Sequence, residues 1–152
     1  METETTTVVL DTNVIIDGFK DEYSYQKRII NEIIAGNIQA FANHQTMREN
    51  KLILSQLIDS DEYKAELNDF FSQLEIVTNR HQIHVVRDPE DNKILESAVE
   101  AKADYLITND NDLLRIERYE KVNIVTPASF WARYKDEGQD MWAKWVNFIT
   151  GR

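Results

Sequence analysis

Short apolar runs alternate with helix-period stripes along most of this chain. The runs Thr7 to Asp11, Ile38 to Ala42, Ile83 to Arg87, Tyr105 to Thr108 and Val122 to Thr126 are short and largely apolar, which predicts five strands. Between them, apolar residues recur at spacings of three and four. Ile29, Ile30, Ile33 and Ile34 form one stripe that stops at Gly36, a residue suited to close a helix. Met47, Leu54, Leu57 and Ile58 mark a second helix, and Tyr63, Leu67, Phe70, Phe71 and Leu74 a third. After the Asp88-Pro89 turn, Ile94, Leu95, Ala98 and Val99 mark a fourth that runs up to Lys102. Strands that alternate with helices predict βαβ units, and therefore an α/β fold with a mostly parallel sheet.

A chain of 152 residues, 42% of them hydrophobic, suffices for one domain around a single core. The expected division is a domain over residues 1–134, with residues 1–6 disordered, and a helical tail over residues 135–152. Lys135 to Asp140, around Gly138, is the expected soft joint. Beyond it Met141, Trp142, Trp145, Val146, Phe148 and Ile149 define an apolar helical face, which predicts a tail that docks on its own domain or meets another chain at an interface. Docking on the parent domain is the preferred expectation.

Composition narrows the chemistry. No stretch approaches the ~20 apolar residues of a membrane span, and Met1-Glu2-Thr3-Glu4 lacks the basic and apolar segments of a signal peptide, so the expectation is a cytoplasmic protein with no membrane partner. With zero cysteines, thiolate metal sites and cysteine nucleophiles are excluded. The three histidines, His44, His81 and His84, lack the i,i+4 spacing of helical zinc motifs and read as surface or loop residues. The net charge of −10 repels polyanions on average, although acids gathered at a metal site are neutralised by the ion they bind.

Four acids fall where the predicted elements turn: Asp11 after the first strand, Glu49 early in the helix after the second, Asp91 in the first turn of the fourth stripe's helix, and Asp110 after Leu106-Ile107-Thr108-Asn109. Ligands bind outside the carboxyl ends of strands in open parallel sheets. Carboxylates gathered there form a hard-oxygen pocket suited to Mg²⁺ or Mn²⁺ and so to phosphate chemistry. Singly, each has a plainer reading: Asp11, Asp91 and Asp112 as helix N-caps, Glu49 as an exposed helical residue. Lys93 is the preferred phosphate contact, against an ordinary salt bridge. Trp131, Trp142 and Trp145 read as core or interface rather than base-stacking residues.

From about Val8 to Trp131 the chain resembles PIN-domain nucleases, particularly the toxin components of bacterial toxin–antitoxin pairs. The carrying segments are Val-Leu-Asp11-Thr-Asn13-Val, Met-Arg-Glu49-Asn-Lys-Leu, Asp-Pro-Glu-Asp91-Asn-Lys-Ile-Leu-Glu-Ser-Ala and Ala-Asp-Tyr-Leu-Ile-Thr108-Asn-Asp110-Asn-Asp112-Leu-Leu. The resemblance implies a three-layer fold with about five mostly parallel strands between helices. It also implies a metal-dependent endoribonuclease, with Asp11, Glu49, Asp91 and Asp110 as catalytic and metal-binding residues for Mg²⁺ or Mn²⁺. Asn13, Thr108 and Asp112 match supporting positions. RNA as substrate, a cognate antitoxin and a homodimer are the implied partners. Asn109 stands where relatives usually carry glycine, and asparagine tolerates a positive φ there.

Two other readings fit parts of the pattern. A haloacid-dehalogenase-like phosphatase also starts from a strand ending in aspartate, but it needs an acid two residues later, where this chain has Asn13. A non-catalytic metal-binding interaction module would fit the strong acidity and the tryptophan-rich tail.

Overall fold

The computed structural model describes residues 4–151. Its elements are β1 (Thr6–Leu10), α1 (Thr12–Lys20), α2 (Tyr25–Ile34), β2 (Ile38–Asn43), α3 (His44–Leu57), α4 (Asp61–Gln73), β3 (Glu75–Val77), α5 (Pro89–Glu100), β4 (Tyr105–Ile107), α6 (Asn111–Leu114), β5 (Arg118–Tyr119), β6 (Val122–Val125) and α7 (Pro127–Thr150). They form a six-stranded sheet of order β3-β2-β1-β4-β6-β5, parallel except for the β5–β6 pair at one edge.

Alternation along the central strands divides the core into two layers. Val8 and Leu10 join Ile38, Ala40, Tyr105 and Ile107 against Ile15, Phe19, Ile30, Phe70 and Phe130 from α1, α2, α4 and α7. Val9, Leu106 and Ile124 face the other way, against Ile94, Leu95 and Ala98 of α5 and Leu113 of α6. Helices therefore cover both faces of the mostly parallel sheet, as the sequence pattern predicts. Gly36, with φ of +84°, terminates α2 in the left-handed conformation.

The strand expected at Ile83 to Arg87 does not form. Its backbone donors are taken by side chains of α5 instead: Ile83 N–H donates to Glu96 Oε1 (2.7 Å), and the Val85 and Val86 N–H groups donate to Asn92 Oδ1 (3.1 Å each). Asn92 Nδ2 donates in return to Val86 O (2.9 Å), while Glu100 accepts from Arg80 N–H (2.9 Å) and faces His81 Nδ1 at 2.9 Å. Of its hydrophobic residues only Ile83 is buried, so the run has no apolar face to place on a sheet. The strands missing from the prediction are β3 and β5, three and two residues long, too short to show a period.

Of the segment expected to be disordered, residues 1–6, Thr6 already pairs with Ile38, Glu4 and Thr5 lead into that strand, and residues 1–3 lie outside the described residues. Nor is there a joint near Gly138: α7 runs unbroken for 24 residues. It starts at an N-cap, Thr126, which accepts from Ser129 N–H (3.1 Å), with Pro127 next. One glycine costs a helix about 1 kcal/mol relative to alanine, too little to break it. Phe130 is fully buried against the Tyr105 ring (5.1 Å), and Tyr134 O–H donates to Glu32 Oε2 (2.8 Å), fastening α7 to α2. Burial and that carboxylate push the Tyr134 pKa up to about 12. Trp131 is half-buried against the core, as expected. Past Tyr134 the preferred expectation fails, because Met141, Trp142, Trp145, Phe148 and Ile149 are exposed rather than packed on the domain. Among the described residues no helix is long and apolar enough to cross a membrane.

Candidate metal centre

The sheet winds outward in both directions from β1, to β2 on one side and β4 on the other. The crevice outside the carboxyl ends of β1 and β4 is thus the switch point where open α/β sheets take ligands. Asp11 follows β1 immediately, its N–H donating to Ile107 O of β4 (3.0 Å). Asp11 holds the N-cap position of α1 but makes no side-chain cap bond. Its Oδ2 instead accepts from Thr108 Oγ1 (2.7 Å), and Asp11 and Thr108 are 7% and 0% exposed. The capping explanation fails for Asp11.

The Thr108 hydroxyl also acts in the other direction, since its Oγ1 accepts from Asp110 N–H (3.0 Å). This bond sets the turn after β4, and the turn does not require a positive φ, since the non-glycine residues with positive φ among those described are Lys102, Glu117 and Glu120 rather than Asn109. Asp110 does cap a helix, with Oδ1 accepting from Asp112 N–H (2.9 Å) and Leu113 N–H (3.2 Å) of α6. Asp91 is not a cap. It lies in the first turn of α5, whose N-cap is Asp88, with Oδ1 accepting from Glu90 N–H (2.9 Å).

Electrostatics ties these carboxylates together. Burial pushes the Asp11 pKa up against the opposing Thr108 hydrogen bond, and the charges of Asp110 and Asp88 add to the rise. Burial, then Asp110, Asp11, Asp88 and Asp112, raise Asp91 to about 6. Buried carboxylates with further carboxylates for neighbours, as Asp11 and Asp91 are, present the situation a divalent cation relieves. The donor set, oxygens alone, fits Mg²⁺ or Mn²⁺. Among the described residues no three acidic or histidine side chains already converge as a finished coordination cage. Asp11, Asp91 and Asp110 share one electrostatic neighbourhood.

Glu49 stands apart. It is exposed on α3, accepts from Gln45 Nε2 (3.1 Å), and is not among the largest influences on Asp11 or Asp91. Asn13 is exposed in the first turn of α1. Asp112 is exposed and accepts from Arg115 Nη1 (3.2 Å). Lys93 sits half-exposed with its Nζ 3.1 Å from Glu90 Oε1, so the salt bridge weighed against a phosphate contact does form. The histidines are exposed, as expected.

Sequence reasoning passed over Asp88, whose signal was the Asp-Pro pair that opens α5, an N-cap followed by proline at the first helical position. It also missed the buried polar chain behind the site. Asn43, N-cap of α3, donates through Nδ2 to Ser97 Oγ (2.9 Å), and Ser97 donates to Asn79 Oδ1 (2.9 Å), which couples the helices bearing Glu49 and Asp91. No local pattern marks such a contact across 54 positions.

Residues 7–112 match the family model described as PIN domain. The chain is 27% identical over 137 residues to an uncharacterized protein of Methanocaldococcus jannaschii, an alignment covering 81% of this chain and 88% of that one. In fold it is similar to a chain in the crystal structure of VapBC2 from Rickettsia felis bound to a DNA fragment from their promoter. There the TM-score is 0.54 at 16% identity, over 78% of this chain and 97% of that one. With the family match spanning most of the chain and a three-layer fold that sets Asp11 and Asp110 at the ends of adjacent parallel strands, this chain belongs to the PIN domain family.

Proposed function

We propose that the protein is a metal-dependent endoribonuclease, the cytoplasmic toxin of a toxin–antitoxin pair. One observation carries the reading: a buried aspartate that caps nothing, Asp11, is held by Thr108 at the switch point beside the charges of Asp91 and Asp110. Burial of a carboxylate without a cationic partner costs stability, and a site is the common reason to retain it. Membership of the PIN family and the likeness to VapBC2 support nuclease chemistry and an antitoxin partner.

Asp11, Asp91 and Asp110 are assigned to hold Mg²⁺ or Mn²⁺. Bound there, the cation would supply a water of lowered pKa and stabilise charge on the transferring phosphoryl oxygens. The chain's own groups do the rest. Thr108 fixes the orientation of Asp11 and the backbone of Asp110. Glu49, exposed on α3 where it accepts from Gln45, is the remaining candidate to orient a water, from outside the Asp11, Asp91 and Asp110 neighbourhood. Asn13 and Asp112 line the approach, and Lys93 exchanges Glu90 for a substrate phosphate.

RNA cleavage by the purified chain with Mn²⁺, with and without EDTA, tests the proposal beside Asp11→Asn and Asp110→Asn. Cleavage should require the metal and fall by at least about 100-fold in either variant. Cleavage that survives EDTA would overturn it. Tight calorimetric Mn²⁺ binding with no cleavage of varied RNAs would favour a non-catalytic module, which the net charge of −10 also suits.

A further inference from the structure

One polar atom in the interior has no hydrogen-bond partner. Among the described residues it is Asn50 Oδ1 alone, on a residue only 3% exposed, whereas the other buried side-chain oxygens and nitrogens are all paired. A buried amide oxygen costs stability unless something donates to it. Packing by itself gives no reason for asparagine at this position.

Its surroundings show what is missing. Asn43, Thr46 and Asn50 follow at steps of three and four, so they share the inner face of α3, and all three are buried. Asn43 Oδ1 accepts from Thr46 N–H (2.8 Å), and one of its two Nδ2 protons goes to Ser97 Oγ (2.9 Å). Ser97 has a single proton, already directed at Asn79 Oδ1 (2.9 Å) and Lys93 O (3.0 Å), and has none for Asn50. The second Nδ2 proton of Asn43 is uncommitted.

A small cavity lies against these groups. Asn43, Thr46, Asn50 and Ser97 are its polar lining, and Phe70 and Ile94 are among the apolar side chains that complete it. Its volume of about 10 Å³ suits one water molecule and nothing larger. No charged side chain lines it, and an ion there would be buried without a counter-charge, so the occupant must be neutral. It must also donate to one asparagine and accept from another.

We propose that this cavity is the binding site of one ordered water, which donates to Asn50 Oδ1 and accepts from the second Nδ2 proton of Asn43. The water ties a point two turns beyond the N-cap of α3 into the polar chain that reaches α5 through Ser97. These are the helices that carry Glu49 and Asp91. The site is independent of the nuclease reading.

Rotating-frame Overhauser spectra of the isotope-labelled full chain test it, with water itself as the probe. The wild type should show a cross-peak of dipolar sign from water to the side-chain amide protons of Asn43, and Asn50→Leu should lose it. Leucine keeps the branching of asparagine without its polar atoms. Displacing the water strands the Asn43 proton, so the unfolding equilibrium constant in urea should rise roughly tenfold. An asparagine that is merely orphaned predicts the reverse, because an apolar replacement would then relieve a penalty. Absence of the cross-peak in the wild type, its survival in Asn50→Leu, or a variant at least as stable as the wild type would overturn the proposal. The wild-type spectrum decides alone if the variant does not fold.

Discussion

Asp91→Asn should make the metal-free protein more stable at neutral pH and leave it unchanged or weaker in acid. An unfolded aspartate titrates near 3.9, whereas the folded Asp91 titrates at about 6 because it is half-buried among Asp110, Asp11, Asp88 and Asp112. For a carboxyl raised in the folded state, the favourable contribution is complete below about pH 4 and is lost as pH rises through 6. Two units correspond to a ceiling of about 3 kcal/mol, and solvent screening of a half-buried side chain reduces this to roughly 1–1.5 kcal/mol. Asparagine keeps the shape and removes the repulsion, but forfeits about 0.5 kcal/mol of attraction to the N-terminus of α5. The net gain is about 0.5–1 kcal/mol, or roughly 2–3 °C in melting temperature for a domain of this size. Thermal melts by circular dichroism in EDTA, at pH 7.5 and pH 4.5, measure it. Mn²⁺ should then reverse the order, since wild type binds the ion better. A variant less stable than wild type at pH 7.5 without metal, or a gain that fails to shrink on acidification, would refute the crowding argument.

Thr108→Val, nearly isosteric, removes the donor to Asp11 and leaves the Asp110 N–H without its acceptor; stability should fall by about 2–3 kcal/mol in urea unfolding. Calorimetric Mn²⁺ affinity should fall about tenfold in the same variant. Asn92→Ala strips both N–H groups of Val85 and Val86 of their acceptor, so amide exchange there should accelerate well before the core strands exchange. Glu49→Gln should change stability by less than about 0.5 kcal/mol, because the side chain is exposed. If Glu49 orients water rather than gripping the ion, that variant should keep Mn²⁺ affinity within about threefold while cleavage falls about 100-fold.

The helices with strong stripes and the central strands were readable because burial imposes period on them. Ile29, Ile30 and Ile33 are all fully buried, and Val8 to Leu10 and Tyr105 to Ile107 form paired central strands. Ile83 to Arg87 misled because an apolar run reports composition, while a strand needs a neighbour to receive its N–H groups. Here Asn92 and Glu96, remote in period from that run, supply the acceptors. Among site residues, Asp11 and Asp110 were legible as acids ending strands. That Glu49 is exposed and bonded to Gln45 rather than to these acids depends on where α3 packs, which its own residues do not encode. The course of the tail was hidden for a related reason: an apolar helical face demands a cover, and the sequence does not say whose.

Asp11 and Asp110 share a habit visible in their hydrogen bonds, since each is committed to donors of its own chain, Asp11 accepting from Thr108 through Oδ2 and Asp110 from Asp112 and Leu113 N–H through Oδ1. A cation entering between them would therefore meet single oxygens rather than two-toothed carboxylates. Small ions that hold six ligands at short range and keep much of their water suit such sparse chelation, whereas larger calcium gathers more oxygens, often in pairs. If these aspartates hold the ion as proposed, tying them to their own turns would make the fold a filter on ionic size.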